Sequence, residues 1–129
     1  MVMHFLPDDL PALQQRLQEP HPDLLVVCYC AAWCKTCTAY QPLFESLSKQ
    51  YPQSVFVWVD VEENEELLGD ADVDDFPTLL VQSSRGTLFF GSVLPHIEHL
   101  QRLLDHAAEM PVLTDTGPGS FTELVASAT

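Results

Sequence analysis

Positive charge is scarce in this chain: 5 Lys and Arg stand against 19 Asp and Glu, a net charge of −14. A surface so poor in cations suits neither phosphate backbones nor anionic lipid headgroups, which argues against nucleic acid and membranes as partners. The sequence also lacks any apolar run long enough to span a bilayer. Its longest, Leu24 to Cys34, lies too far in to be the apolar part of an export signal. Asp23 precedes it, and Arg16 is the only Lys or Arg upstream. These features predict a cytoplasmic protein. Cysteine is absent outside residues 28–37, where Cys28, Cys30, Cys34 and Cys37 are crowded together. Bridges between such close neighbours would close tiny loops and staple little, so the cysteines read as chemistry rather than scaffolding. There is no internal repeat.

The 129 residues, 47% of them hydrophobic, suit one globular domain with one core. Leu10, Leu13 and Leu17 are spaced to share a face of a first helix over residues 8–17, ended by Pro20 and Pro22. Residues 24–31 form a continuous apolar run, the mark of a strand covered on both faces. Residues 34–51 carry Tyr40, Leu43, Phe44 and Leu47 at helical spacing, with Pro42 expected to bend the helix. A second buried strand follows over 54–60, then a short acidic helix over 62–71. Residues 78–82 and 87–90 flank Ser83-Ser84-Arg85-Gly86 as a hairpin, and a last helix spans 95–109. This order predicts an α/β fold, a central mixed β-sheet with helices on both faces. Residues 1–109 are expected to form the domain and 110–129 a mobile tail, in which Phe121, Leu124 and Val125 could make one docking turn.

The apolar strand runs straight into Trp33-Cys34-Lys35-Thr36-Cys37. A thiol is a useful nucleophile only as a thiolate, and a helix start offers free backbone N–H groups that stabilise one. Pro42 falls five residues after the second cysteine, Phe76-Pro77-Thr78 opens a strand, and Gly86 and Gly91 sit in the terminal hairpin. On these residues the segment from Leu24 to Ala108 resembles the thioredoxin family. The resemblance implies a thioredoxin fold and a protein-disulfide reductase. Cys34 and Cys37 would be the catalytic pair and would form the redox disulfide, with Cys34 attacking and Cys37 resolving. Trp33, Lys35, Thr36, Phe76, Pro77 (cis in the family) and Gly91 would line the substrate groove. The family needs no cofactor, and electrons would come from a reductase or another dithiol.

Other readings stand beside this one. Four sulfurs could bind a metal, but Cys28 and Cys30 lie inside an apolar strand and a metal knuckle needs turns between its ligands, so no metal is expected. Cys28 and Cys30 share one face of their strand. They are either small buried hydrophobes or a second redox pair beneath the first, although a direct Cys28–Cys30 bond is disfavoured because such positions splay apart. Cys28 stands where most thioredoxins bury an aspartate. That departure, the acidic groove edge and the extra tail allow a thioredoxin-fold binding or co-chaperone module, against which the intact Cys34 and Cys37 argue. Nine acidic residues fall between Asp60 and Asp75. Most read as a solvated face. Asp74 and Asp75, however, border the expected groove and predict basic or neutral protein disulfides as substrates of a monomer.

Overall fold

A strand buried on both faces organises the chain. The computed structural model describes residues 3–6, 8–18, 22–68, 71, 73, 75–113 and 117–128. Pro20, the expected helix stop, and Asp74 lie outside them. In chain order the elements are β1 (Met3–Leu6), α1 (Leu10–Leu17), β2 (Leu25–Cys30), α2 (Lys35–Ser48), β3 (Val55–Asp60), a 3-10 turn (Glu65–Leu68), β4 (Thr78–Ser83), β5 (Gly86–Ser92), α3 (Ile97–Asp105), a second 3-10 turn (Ala107–Glu109) and α4 (Phe121–Ser127). The strands lie in the order β1-β3-β2-β4-β5. β1, β3 and β2 are parallel, and β4 and β5 run antiparallel to their neighbours. This is the expected thioredoxin-type mixed sheet with helices on both faces.

All six residues of β2 are buried, as a central strand between two helical layers must be. Alternation divides them. Leu25, Val27 and Tyr29 pack into one layer with Leu10 and Leu13 of α1 and Phe121 and Val125 of α4. Val26, Cys28 and Cys30 pack into the other with Tyr40, Phe44 and Leu47 of α2 and Leu100 and Leu104 of α3. Phe44 fills the centre of that second layer, its ring 5.1 Å from Phe56 and 5.8 Å from Trp58. Pro42 lies inside α2, where it cannot donate to the Thr38 carbonyl.

Three elements differ from the sequence expectation. β1 is an edge strand that pairs with β3 over Met3–Leu6. It is four residues long, and only its tertiary partner defines it. Among the described residues the acidic helix contracts to one 3-10 turn, Glu65–Leu68. Glu62, Glu63, Glu65 and Glu66 would repel one another at helical spacing. The segment is held instead by the Asp60 carboxylate accepting from Glu62 N–H (3.0 Å), by Asn64 Nδ2 donating to the Asp60 carbonyl (2.9 Å), and by Tyr29 Oη donating to the Leu67 carbonyl (3.0 Å).

The expected mobile tail is corrected over residues 117–128, which pack onto the domain. Gln82, buried on β4, is the latch. Its Nε2 donates to Thr87 Oγ1 (3.0 Å) and to the Gly119 carbonyl (2.6 Å), and its Oε1 accepts from Phe121 N–H (3.0 Å). Gln14 Nε2 donates to the Val125 and Ala128 carbonyls (3.0 and 2.9 Å) and so closes the far end of α4. The hairpin turn is tied down separately. Arg85 donates to the carbonyls of Met110 and Ala107, each at 3.1 Å. Gly86 has φ +136°, and a Cβ there would lie 2.9 Å from Val112 Cγ1, so the turn needs glycine on both counts.

Phe121 is fully buried, so Phe121→Ala is expected to cost about 3–5 kcal/mol of unfolding free energy. Urea denaturation of the variant should show the lower midpoint. An unchanged midpoint would mean that the C-terminal segment adds nothing to the domain.

Candidate active site

The site forms where β2 hands over to α2. Cys30 ends the strand, the chain turns through Ala31–Trp33, and Cys34 N–H closes that turn on the Ala31 carbonyl (3.0 Å). Cys34 is the N-cap of α2, with extended backbone (φ −85°, ψ 114°) and no side-chain capping bond. The first-turn N–H groups of α2 are therefore left open to an anion. Cys34 is partly exposed, and Cys37, one turn further in, is 2% exposed. Lys35 is exposed and Thr36 half-buried in the same turn.

Cys37 is bonded to Cys30 rather than to Cys34, with a Cα–Cα separation of 5.9 Å. The expected redox disulfide, Cys34–Cys37, is thus not the one the structure closes. The reason lies in the pleat and the helix start. Cys30 is the last residue of β2 and faces the α2 layer, Cys37 is the first fully buried residue of α2, and their Cα atoms fall within the ordinary range for a disulfide. Cys34 is left as a free thiol at the mouth, and Cys28 as a free, fully buried one. Cys28 Sγ lies 3.7 Å from Cys30 Sγ. The shared face of Cys28 and Cys30 is legible from strand alternation. The reach of Cys30 to the first turn of α2 is not, because it depends on how the three-residue turn folds back.

The interior around these sulfurs is apolar. In the β2–β3 ladder Cys28 is paired with Trp58 and Cys30 with Asp60, and in the β2–β4 ladder Cys28 is paired with Leu79. Burial pushes the Cys28 thiol well up from its ordinary range. Burial also pushes the Tyr40 phenol up, with Cys28 adding to the shift. The Tyr40 hydroxyl is buried without a hydrogen-bond partner among the described residues. No carboxylate occupies the Cys28 position, so both groups near the buried sulfurs are neutral at ordinary pH. A cavity of about 360 Å³, lined by Cys30, Cys37, Thr38, Trp58 and Asp60 among others, opens onto the Cys30–Cys37 pair; Cys34 does not line it.

The expected groove residues converge unevenly. Trp33 is 68% exposed and stands edge-on to Phe76, ring centres 5.8 Å apart. Phe76 and Cys34 pack against the same core cluster. The Phe76–Pro77 bond is cis. The Pro77 carbonyl accepts from Val93 N–H (3.0 Å), and Thr78 Oγ1 donates to the Asp75 carbonyl (2.6 Å), which fixes the loop between them. Leu94, which follows Val93, is 66% exposed, and no local motif in the sequence marks it. Gly91 pairs with Leu79, one strand outward. A Cβ there would meet only Phe89, at ordinary contact distance (3.7 Å), so no close approach demands glycine. Asp75 is exposed.

The thioredoxin family model matches residues 9–90. A thioredoxin of Callithrix jacchus is 35% identical over 71 residues, 55% of this chain and 68% of that one. A thioredoxin relative of Arabidopsis thaliana is 40% identical over 60 residues, and the match spans only 39% of its length. Thioredoxin of Schistosoma mansoni superposes with a TM-score of 0.66 at 26% identity, covering 81% of this chain and 94% of that structure. Thioredoxin f of spinach chloroplast gives a TM-score of 0.68 at 17% identity, over 83% and 87% of the two chains, a likeness of fold alone.

Because Cys28 is fully enclosed and Cys34 is not, the native, fully reduced protein should alkylate at Cys34 well before Cys28, with Cys28 reacting only on unfolding. Time-resolved maleimide labelling followed by peptide mass spectrometry reads this. Equal rates at the two sites would show that the β2 layer is open to solvent.

Proposed function

The chain belongs to the thioredoxin family, and on that footing we propose that it is a thiol–disulfide oxidoreductase that reduces or exchanges protein disulfides through Cys34 and Cys37. One observation carries the assignment of roles: of the four cysteines only Cys34 reaches the surface, at a helix start beside exposed Trp33, with Cys37 buried one turn behind it. The Cys34 thiolate attacks one sulfur of a client disulfide, and the other client sulfur leaves with the electron pair and is protonated. The Cys37 thiolate then attacks Cys34 Sγ, which releases the client dithiol and leaves a Cys34–Cys37 disulfide. A reductase or another dithiol restores the pair, and the chain needs no cofactor of its own.

Exposed Trp33 stands against Phe76, and exposed Leu94 follows Val93, whose N–H donates to the Pro77 carbonyl; an extended client segment would lie along these residues. We place the protein in the cytoplasm, acting as a monomer. No helix among the described residues is long and apolar enough to cross a membrane.

Cys34→Ser is expected to abolish insulin disulfide reduction. Cys37→Ser should still attack but fail to release, and should accumulate mixed disulfides visible on non-reducing gels. Mixed disulfides from Cys34→Ser and none from Cys37→Ser would reverse the roles.

Charge should select among clients. The net charge is −14 and exposed Asp75 precedes the Phe76–Pro77 loop. At physiological salt the Debye length is about 8 Å, so charges near the contact discriminate and distant ones act mainly on encounter. Of two matched disulfide peptides, the one flanked by lysines should form its mixed disulfide faster than the one flanked by glutamates at low salt, and the gap should close as salt rises. Equal rates at low salt would make the acidic stretch a solubility feature.

A further inference from the structure

We propose that Cys30 is a third redox-active cysteine, which takes Cys37 over from Cys34, so that the oxidised protein stores its disulfide between β2 and α2 and keeps Cys34 as a free thiol. The inference rests on the reading of Cys34 as the attacking thiol and extends it. Three observations carry it. Cys30 and Cys37 are bonded, with Cα atoms 5.9 Å apart. Both are almost fully buried, at 1% and 2% exposure, while Cys34 is a partly exposed free thiol. Cys34 packs against the same buried cluster that holds Cys28, Cys30 and Cys37, so the exchange needs no large rearrangement of the fold.

The step balances without an outside oxidant. After a client has been reduced, the disulfide joins Cys34 to Cys37. The Cys30 thiolate attacks Cys37 Sγ, a Cys30–Cys37 bond forms, the Cys34–Cys37 bond breaks, and the electron pair leaves on Cys34 Sγ. The proton given up by Cys30 passes to solvent through the cavity that reaches Cys30 and Cys37, and Cys34 is protonated from solvent at the mouth. The protein stays oxidised by two electrons throughout; only the partner of Cys37 changes.

This relocation changes what the oxidised protein can do. Its surface nucleophile is regenerated, yet its resolving cysteine is occupied. Cys34 can therefore attack a second client disulfide, but the mixed disulfide cannot be resolved by Cys37 until the buried bond is reduced. The oxidised form holds a client covalently and lets it go when electrons arrive. Because Cys30 and Cys37 are enclosed, that release depends on access to the buried bond rather than on the reducing strength of bulk thiols alone.

The test is a pairing map of the intact protein. The chain is oxidised with diamide and quenched in acid, its free thiols are blocked with N-ethylmaleimide in denaturant at near-neutral pH, and the disulfide is then reduced and labelled with iodoacetamide before fragment mass spectrometry. Maleimide on Cys28 and Cys34 with carbamidomethyl on Cys30 and Cys37 is expected. Carbamidomethyl on Cys34 and Cys37 would overturn the proposal. As a second arm, the native oxidised protein is titrated with an aromatic disulfide reagent. Wild type and Cys28→Ala should each present one reactive thiol per chain, and Cys30→Ala none. A reactive thiol persisting in Cys30→Ala would also overturn it. Should Cys30→Ala fail to fold, the wild-type map decides alone. Insulin reduction by Cys34→Ser separates the two levels: retained activity there removes the reading of Cys34, whereas a Cys34–Cys37 map removes only the role of Cys30.

Discussion

Everything in this structure depends on β2 being buried on both faces. A strand enclosed by two helical layers has no freedom of register, since a slip of one residue would exchange every side chain between layers. That constraint sends Leu25, Val27 and Tyr29 towards α1 and α4, and Val26, Cys28 and Cys30 towards α2 and α3. It also fixes where the strand stops. Cys30 ends at the boundary between core and surface, and the short turn to Cys34 must start α2 directly above it. The dithiol chemistry is thus an outcome of sheet packing: a nucleophile at the mouth, a resolving thiol one helical turn below, and two more sulfurs on the strand beneath.

The same packing explains why the interior can tolerate Cys28 at the position where the family resemblance implies a buried aspartate. Cys28 faces Leu79 and Trp58 in the flanking strands, and burial keeps its thiol protonated. A carboxylate there would need a partner that this apolar layer does not offer. The Tyr40 hydroxyl is the one polar side-chain atom that this layer leaves without a partner among the described residues. The polarity that remains near the buried sulfurs comes from Asp8, Thr38, Gln41 and Asp60, at the cavity that opens onto Cys30 and Cys37.

Much of this was legible in the sequence, and the parts that were not share a cause. β2 and β3 announce themselves as apolar runs, the hairpin as two runs about a Ser-Ser-Arg-Gly turn, and α2 as a helical repeat starting at a dithiol. Each of these signals is local. β1 is not local: Met3–Leu6 becomes a strand only by pairing with β3, more than fifty residues away along the chain. The C-terminal helix did carry a local mark, because Ser120 and Glu123 have the spacing of a capping box and Ser120 Oγ accepts from Glu123 N–H (3.4 Å). Its docking, however, depends on Gln82 and Gln14, which single-segment reading cannot connect to it. The Cys30–Cys37 pairing is of the same kind. Alternation puts Cys30 on the correct face, but the turn that brings α2 over it is a three-dimensional fact.

The redox chemistry of this fold turns on which sulfur holds Cys37 when the protein is oxidised. The direct measurement is the Cβ chemical shift of all four cysteines in protein labelled with carbon-13 at cysteine, followed by NMR as the reduced protein is oxidised. Thiol and disulfide Cβ carbons resonate in separate ranges, so each residue reports its own state without chemical trapping. Cys30 and Cys37 should move to the disulfide range while Cys28 and Cys34 stay in the thiol range at the end of the titration. If Cys34 moves with Cys37 and Cys30 does not move at all, the sulfurs on β2 are only packing, and a redox role for Cys30 is contradicted.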